Sequence, residues 1–425
     1  MDMATFYKSD KTALHTFKQL PAIQPMRRFT YAKVKNKLSR IIDKTVYHNY
    51  AYKPSGIYYS SKEYIDSIKG NKPAYVEVYP DLVTHLNVPA ELYALHLKPA
   101  PQLTLQTNYM VVEIPNGRVY SDSDCSVAII SADNKLIHDL SFTYTETDTV
   151  EPENNNIFRR RYFAKPSVYK GVVFSMQSGG ATIVNIGHWI TDILPRLHLL
   201  KASGLFDKVD YFLVPSLKKD FQKESLQLMG IPLEKVIDGE DHPHVTADAI
   251  IASTAHRNIM DTTPQWTIDF LRDSLVKNDF DKSKYPPHIY ISRKDTSIRN
   301  VVNEDQVMEL LSQYGFVSYQ LSQLSVLEKI RLFASADMVV GPTGAGLIYL
   351  YFCKAKAKVL EIFSNLYVVG PSFDIAGKAG LDYHYIISKA IGNGKGLEEH
   401  IHVDIDQLKR ALDKMIEGVK EPASI

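Results

Sequence analysis

Short apolar runs separated by turn residues dominate residues 71–150. YVEVYP, YMVVEI, RVYSD, SVAIISADNKLIHDL and SFTYTE each read as strands. Ala132-Asp133-Asn134-Lys135 reads as a hairpin turn, and EPENNN at 151–156 as a loop. From about residue 180 the period lengthens and helices alternate with strands. GHWITDILPRLHLLKASG predicts a helix ending at Gly204. VDYFLVP is a buried strand, FQKESLQLMG a helix stopped by Gly230, and KVIDG and AIIAS are further strands. PQWTIDFLRDSLVKN predicts a helix with Thr262 or Thr263 as its cap and Pro264 in its first turn.

A second series starts after KYPP. HIYISR is a strand, NEDQVMELLSQYG a helix with an acidic first turn, FVSYQLS a strand and SVLEKIRLFASA a helix. DMVVGP, AKVLEIF and DYHYII are strands, GAGLIYLYFC is a helix, and DIDQLKRALDKMIEG closes the chain as an amphipathic helix. Strands alternating with helices predict parallel sheets covered on both faces. Two such series in tandem predict two Rossmann-like halves with a cleft between them, preceded by a β-rich accessory region. The divisions fall at a helical segment 1–70, a first domain 71–265 that includes the β-rich region, a second domain 266–400, and a terminal helix and tail 401–425.

Composition narrows the class. A chain of 425 residues has room for two domains, each with its own core. A net charge of +1 gives no field that favours nucleic acid. Cys125 and Cys353 cannot make a disulfide framework, so a reducing compartment is the simpler reading. MDMATFYKSDKTALHTF lacks the apolar core of a signal peptide, and no apolar run is long enough to span a bilayer. A cytoplasmic chain is expected. Between Arg27 and Lys44 the sequence adds Arg28, Lys33, Lys35, Lys37 and Arg40 against Asp43 alone. That segment suits peripheral contact with anionic lipid at the inner face of the cell membrane, although a solvated helix face is the plainer and preferred account.

The strongest chemical feature is DMVVGPTGAGL at 337–347, an apolar strand running into a glycine-rich turn. Free N–H groups at such a turn suit a phosphate. The spacing of Gly341, Gly344 and Gly346 is not that of a dinucleotide fingerprint, and no lysine-serine pair makes it a P-loop. Glu361 is expected at the end of the next strand, where a carboxylate can accept from ribose hydroxyls. Arg293 at the end of HIYISR, with Arg299 beyond it, suits a diphosphate. Taken alone, either arginine could instead make a surface salt bridge, for example with Glu304. In NIGHWITDILPR, His188 and Asp192 lie four apart and share a helix face, so either could serve as a general base, or the pair could be structural. Asp122-Ser123-Asp124 has a metal-binding spacing but sits between strands and reads as a turn. His242 and His244 lack a third ligand, so no metal site is expected.

Three blocks resemble glycosyltransferase family 61, especially its bacterial members of capsular polysaccharide biosynthesis. NIGHWITDILPRLHLL is similar to the family's N-x-G-H-W-x-x-D-x-L-P-R pattern. IYISRKDTSIRNVVNEDQV and LSVLEKIRLFASADMVVGPTGAGLIYLYFCKAKAKVLEIF resemble its two donor-site blocks. The resemblance implies a GT-B architecture, with donor nucleotide on the C-terminal half, and inverting, metal-independent transfer with no cofactor beyond the substrate itself. That substrate is expected to be a nucleotide sugar, UDP-linked, and the acceptor a glycan or lipid-linked glycan. It places Arg293, Arg299, Glu304, Gly341, Thr343, Gly344, Ala345, Gly346, Leu347 and Glu361 at the donor, and Asp192 and His188 at the reaction. The family usually has histidine at position 343, a cation for the donor phosphate, where this chain has threonine. Two rivals stand beside this reading: a nucleotide- or sugar-binding protein without turnover, and a nicotinamide-dependent oxidoreductase.

Overall fold

A computed structural model describes residues 50–85, 104–121, 126–143, 151–179, 181–255, 262–277, 279–392 and 398–417. The basic segment 27–44, Cys125 and the Asp122–Asp124 turn lie outside these residues.

The first sheet gathers β1 (Gly56–Tyr58), β2 (Tyr75–His85), β3 (Thr104–Pro115), β4 (Arg118–Ser121), β5 (Ser126–Ile130), β6 (Lys135–Ile137), β7 (Phe142–Thr143), β8 (Ser167–Ser175), β9 (Tyr211–Val214), β10 (Val236–Asp238) and β11 (His244–Ser253). Its path is β1-β6-β5-β4-β11-β8-β9-β10, with β3 also on β11, β2 on β3 and β7 on β5. The β-rich stretch, which the sequence placed within the first domain, is continuous with the α/β strands of that half. The strand seen in the sequence as AIIAS extends back to His244 and is long enough to pair antiparallel with β3 and β4 while pairing parallel with β8. The hairpin strands and the α/β strands share one hydrogen-bonded sheet. β11 is buried along almost its whole length, and its second half, Ala249–Ala252, is a continuous apolar run.

The second sheet gathers β12 (His288–Ser292), β13 (Val317–Gln320), β14 (Met338–Pro342), β15 (Lys358–Ser364), β16 (Asp382–Ile391) and β17 (His400–His402), in the order β13-β12-β14-β15-β16-β17. Neighbours from β13 to β16 are parallel, and β17 closes the edge antiparallel. The longer helices are α1 (Ser61–Ser67), α2 (Arg196–Ala202), α3 (Asp220–Leu228), α4 (Gln265–Leu275), α5 (Glu304–Gln313), α6 (Val326–Ser335), α7 (Pro371–Lys378) and α8 (Ile405–Glu417).

Side-chain alternation assigns the faces of the second sheet. Tyr290, Val340 and Leu360 join Leu311 of α5 with Leu408 and Leu412 of α8 in one cluster. Ile289, Ile291, Val339 and Val359 point the other way, into the largest cluster of the molecule. That cluster also holds Ile330 and Phe333 of α6, Ile375 of α7, Leu197 and Leu200 of α2, Leu226 of α3 and Leu271 of α4. Val111, Phe174 and Ile251 of the first sheet complete it. The two sheets thus share their main core, where the sequence predicted one core for each half.

Polar contacts join the same helices. The Glu224 carboxylate of α3 accepts from the backbone N–H of Val326 at 2.8 Å and of Leu327 at 2.9 Å, at the start of α6. Ser325 and Glu328 complete a reciprocal capping box on that helix. Arg272 of α4 donates to the carbonyls of Tyr351, Cys353 and Ala379. Asp374 accepts from the Thr263 N–H at 2.9 Å.

Three local expectations change. The helix expected to run unbroken to Gly204 is interrupted. Ile186–His188 is one short turn, Trp189–Ile193 is a π-helix, and α2 starts only after Pro195. No side-chain cap starts α4, where Pro264 itself holds the N-cap position. The glycine-rich turn leads into a 3₁₀-helix, Ala345–Phe352, instead of an α-helix. By contrast Gly315 ends α5 as expected, with φ at 76°, the left-handed turn that glycine makes without strain.

Glu224→Ala should remove two charge-assisted hydrogen bonds across the shared core. A loss of about 1–3 kcal/mol in urea unfolding is expected, with a smaller loss for Glu224→Gln, which keeps one acceptor oxygen.

Candidate functional site

The chain leaves β12 toward β13 on one side, and β14 lies on the other. Strand order reverses there, so a crevice opens at the carboxyl ends of β12 and β14. Arg293 directly follows β12, and Thr343 directly follows β14. The Arg293 Nε and Nη2 both donate to the Ile298 carbonyl, at 3.3 Å each. Its guanidinium lies so close to Gly344 that any Cβ there would overlap Nη1. Burial, and then the neighbouring Arg299 charge, lower its pKa to about 10.

Arg299 holds a left-handed backbone, with φ at 56°. For an arginine this conformation stores strain of order 1 kcal/mol or more. Its guanidinium lies 4.8 Å from the centre of the Tyr367 ring, and its buried Nε has no hydrogen-bond partner among the described residues. Glu304 pairs with neither arginine, which corrects the salt bridge considered from the sequence. Its carboxylate is buried, accepts from the Ser292 hydroxyl at 2.8 Å, and lies 3.8 Å from the Lys294 ammonium. It braces the end of β12 from the first turn of α5.

The glycine-rich turn is shaped by packing. A Cβ at Gly341 would come within 3.1 Å of Ile291 Cβ. One at Gly346 would meet Leu321 Cδ1 at 3.1 Å and Ile291 Cγ2 at 3.3 Å. Leu347 is buried in the core. Of the turn residues, Gly344 and Ala345 are the ones that border Arg293 and Gly187.

Glu361 lies in the middle of β15, not at its end, and is 0 % exposed. Tyr383 donates to Oε2 at 2.5 Å and Ser372 to Oε1 at 3.3 Å. The Thr343 hydroxyl bonds to the same carboxylate. The expectation of a strand-end carboxylate open to a ribose is corrected on both points of geometry. Burial raises the Glu361 pKa to about 7, against the opposing pull of those three hydroxyls and of Arg299.

The first half contributes the other wall. Asn185 Oδ1 caps the short turn by accepting from the Gly187 N–H at 2.8 Å. A Cβ on Gly187 would lie 3.6 Å from that of Ala345, so this turn stands directly against the glycine-rich one. His188 Nδ1 and Asp192 Oδ2 are 2.8 Å apart, with the His188 side chain 37 % and the Asp192 side chain 13 % exposed. A proton on Nδ1 would be held by the carboxylate, leaving Nε2 as the basic nitrogen. Between them Trp189 is fully buried and donates through Nε1 to Ser225 Oγ at 2.8 Å.

The structure therefore gathers Arg293, Arg299, Gly344 and Ala345 at one crevice, with the His188 turn against it. It places Thr343 and Glu361 beneath the crevice, and Glu304 and Leu347 in supporting roles. Tyr367 was not visible as a site residue, because nothing in the loop after β15 marks it. Ser372 and Tyr383, which hold Glu361, lie far from it in sequence. Among the described residues no group of three or more His, Cys, Asp or Glu side chains could hold a metal ion. No described helix is long and apolar enough to cross a membrane.

A Glycosyltransferase 61 family model matches residues 186–360, a span that includes His188, Asp192, both arginines and the glycine-rich turn, and stops one residue before Glu361. Among curated proteins, none matches.

Because the folded pKa of Glu361 lies above the ordinary 4.5, the folded chain binds this proton more tightly than the unfolded one. Stability from this group is full below pH 4.5 and is lost as pH rises toward 7. Glu361→Gln should flatten that fall, which amounts to at most about 3 kcal/mol. Urea midpoints measured between pH 4.5 and 8 for both proteins test it.

Proposed function

We propose, from the match of a Glycosyltransferase 61 family model to residues 186–360, that this chain is an inverting, metal-independent transferase of that family. It moves a sugar from a nucleotide-sugar donor, UDP-linked, to a glycan or lipid-linked glycan acceptor in surface polysaccharide synthesis. In this reading the sheets are the Rossmann-like halves of a GT-B enzyme, with the donor on the second. The chain works in the cytoplasm.

One observation carries the reading. The short turn that bears His188 stands against the glycine-rich turn whose Gly344 abuts Arg293. That arrangement supplies cations for a leaving diphosphate and a base near the anomeric carbon. Arg293 and Arg299 stabilise the negative charge that grows on the departing phosphate oxygen. Burial of Arg293 strengthens that interaction by excluding water. The strained backbone and unpartnered Nε of Arg299 suit a group awaiting an anion.

In the reaction the acceptor hydroxyl attacks the anomeric carbon from the face opposite the phosphate. The new carbon–oxygen bond forms as the bond to the diphosphate breaks. The diphosphate leaves with the electron pair, and Asp192 or His188 takes the hydroxyl proton. Asp192 is preferred as the base, with His188 orienting it.

Arg293→Ala should weaken UDP binding by roughly 1.5–3 kcal/mol, measured by calorimetry with EDTA present. A collapse in melting temperature with unchanged affinity per folded molecule would instead make the residue structural. Asp192→Asn and His188→Ala should lower turnover by about a hundredfold or more while UDP affinity survives. Near-normal turnover in both would move the base elsewhere.

A further inference from the structure

The helix that carries Asp192 is broken next to it. Trp189–Ile193 is π-helical, and the Leu194 N–H reaches back to the Trp189 carbonyl at 3.3 Å. Pro195 has no N–H, so the backbone ladder stops there and α2 restarts at Arg196. Insertions of this kind recur at functional sites because they re-aim one side chain. They also remove backbone support from the residue they re-aim.

Arg196 spans the break. Its Nε donates to the Asp192 carbonyl at 3.2 Å. Its Nη1 donates to the Ser253 carbonyl at 3.1 Å and to Ser253 Oγ at 3.2 Å. Ser253 is the last residue of β11 and is 0 % exposed. β11 is held by β3 and β4 on one side and β8 on the other. Arg196 is itself buried, and the hydrogen bonds described above run to carbonyl and hydroxyl oxygens, not to a carboxylate. Burial lowers its pKa to about 10, and the more distant Asp192 charge opposes that shift. This attraction is mutual, so what favours the charged guanidinium also favours the ionised carboxylate. An aliphatic side chain would fill such a position at less cost if packing were its only task.

We propose that Arg196 is a positioning residue which, anchored by Ser253, ties the broken helix to the sheet and aims Asp192 at His188. The inference rests on the reading of Asp192 and His188 given above. It adds to that reading the residues on which the alignment of the pair depends. The sequence held a partial sign of it, because Arg196 follows Asp192 by four positions.

The test uses the full chain with ¹⁵N-labelled histidine. Its readouts are the tautomer of His188 by NMR at pH 8 and the UDP released from UDP-glucose, UDP-galactose, UDP-N-acetylglucosamine and UDP-xylose. Asp192→Asn should move His188 away from the Nδ1–H tautomer. Ser253→Ala, which removes one anchor and leaves the guanidinium in place, should move it part of the way. It should also cut the rate of UDP release about three- to tenfold with the donor KM unchanged. Ser253→Thr should restore both readouts. Arg196→Lys, which keeps the charge without the fork, should behave as Ser253→Ala does. Adding Ser253→Ala to Asp192→Asn should change nothing further, because the serine acts through the aspartate. A His188 spectrum in Ser253→Ala and Arg196→Lys identical to the parent, while Asp192→Asn changes it, would reduce Arg196 to a packing residue and overturn the proposal alone. A His188 spectrum unmoved even by Asp192→Asn would overturn the pairing, and with it the assignment of the base.

Discussion

The molecule depends on one apolar core that belongs to neither sheet alone. Helix α2 packs on β3 and β11 of the first sheet and α7 on β16 of the second, while α3 meets α6, and α4 meets α7 and the 3₁₀-helix. Their buried side chains form a single cluster. Close packing of this kind transmits position well, because interiors at crystal-like density leave little slack. The turn bearing His188 and the glycine-rich turn come from opposite sides of that core. Their separation is set by how the core packs, and Glu224 and Arg272 fix the same helices with hydrogen bonds to backbone.

Charge at the crevice is held in an unusual balance. Two arginines are placed side by side, and burial, then the Arg299 charge, weakens the hold of Arg293 on its proton. The acid beneath them, Glu361, is itself pushed toward neutrality. The crevice is therefore less compensated than its residue count suggests. Such an excess of positive field in a place of low dielectric favours an anionic ligand.

Much of the second half was legible because its strands are short and apolar and its helices carry ordinary stop signals. Gly315 and the capping box at Ser325 are local features, readable without tertiary knowledge. The first half was less legible for a physical reason. β11 pairs with partners on both sides and in both directions, and nothing in HVTADAIIAS announces that. The π-turn at Trp189–Ile193 was also hidden, since it keeps the helical spacing of His188 and Asp192 to first order. At the site, Arg293 was readable from its place at a strand end. Glu361 was misjudged by three residues, which is enough to turn an exposed carboxylate into a buried one. Tyr367 and Ser253 act through contacts that no sequence period encodes.

The contact between Thr343 and Glu361 bears on how this site can vary. The carboxylate takes hydroxyls from Thr343, Ser372 and Tyr383 and is itself 0 % exposed. A larger side chain at position 343, which is 1 % exposed, would therefore have to push one of these groups off the acid or shift the strand end that carries it.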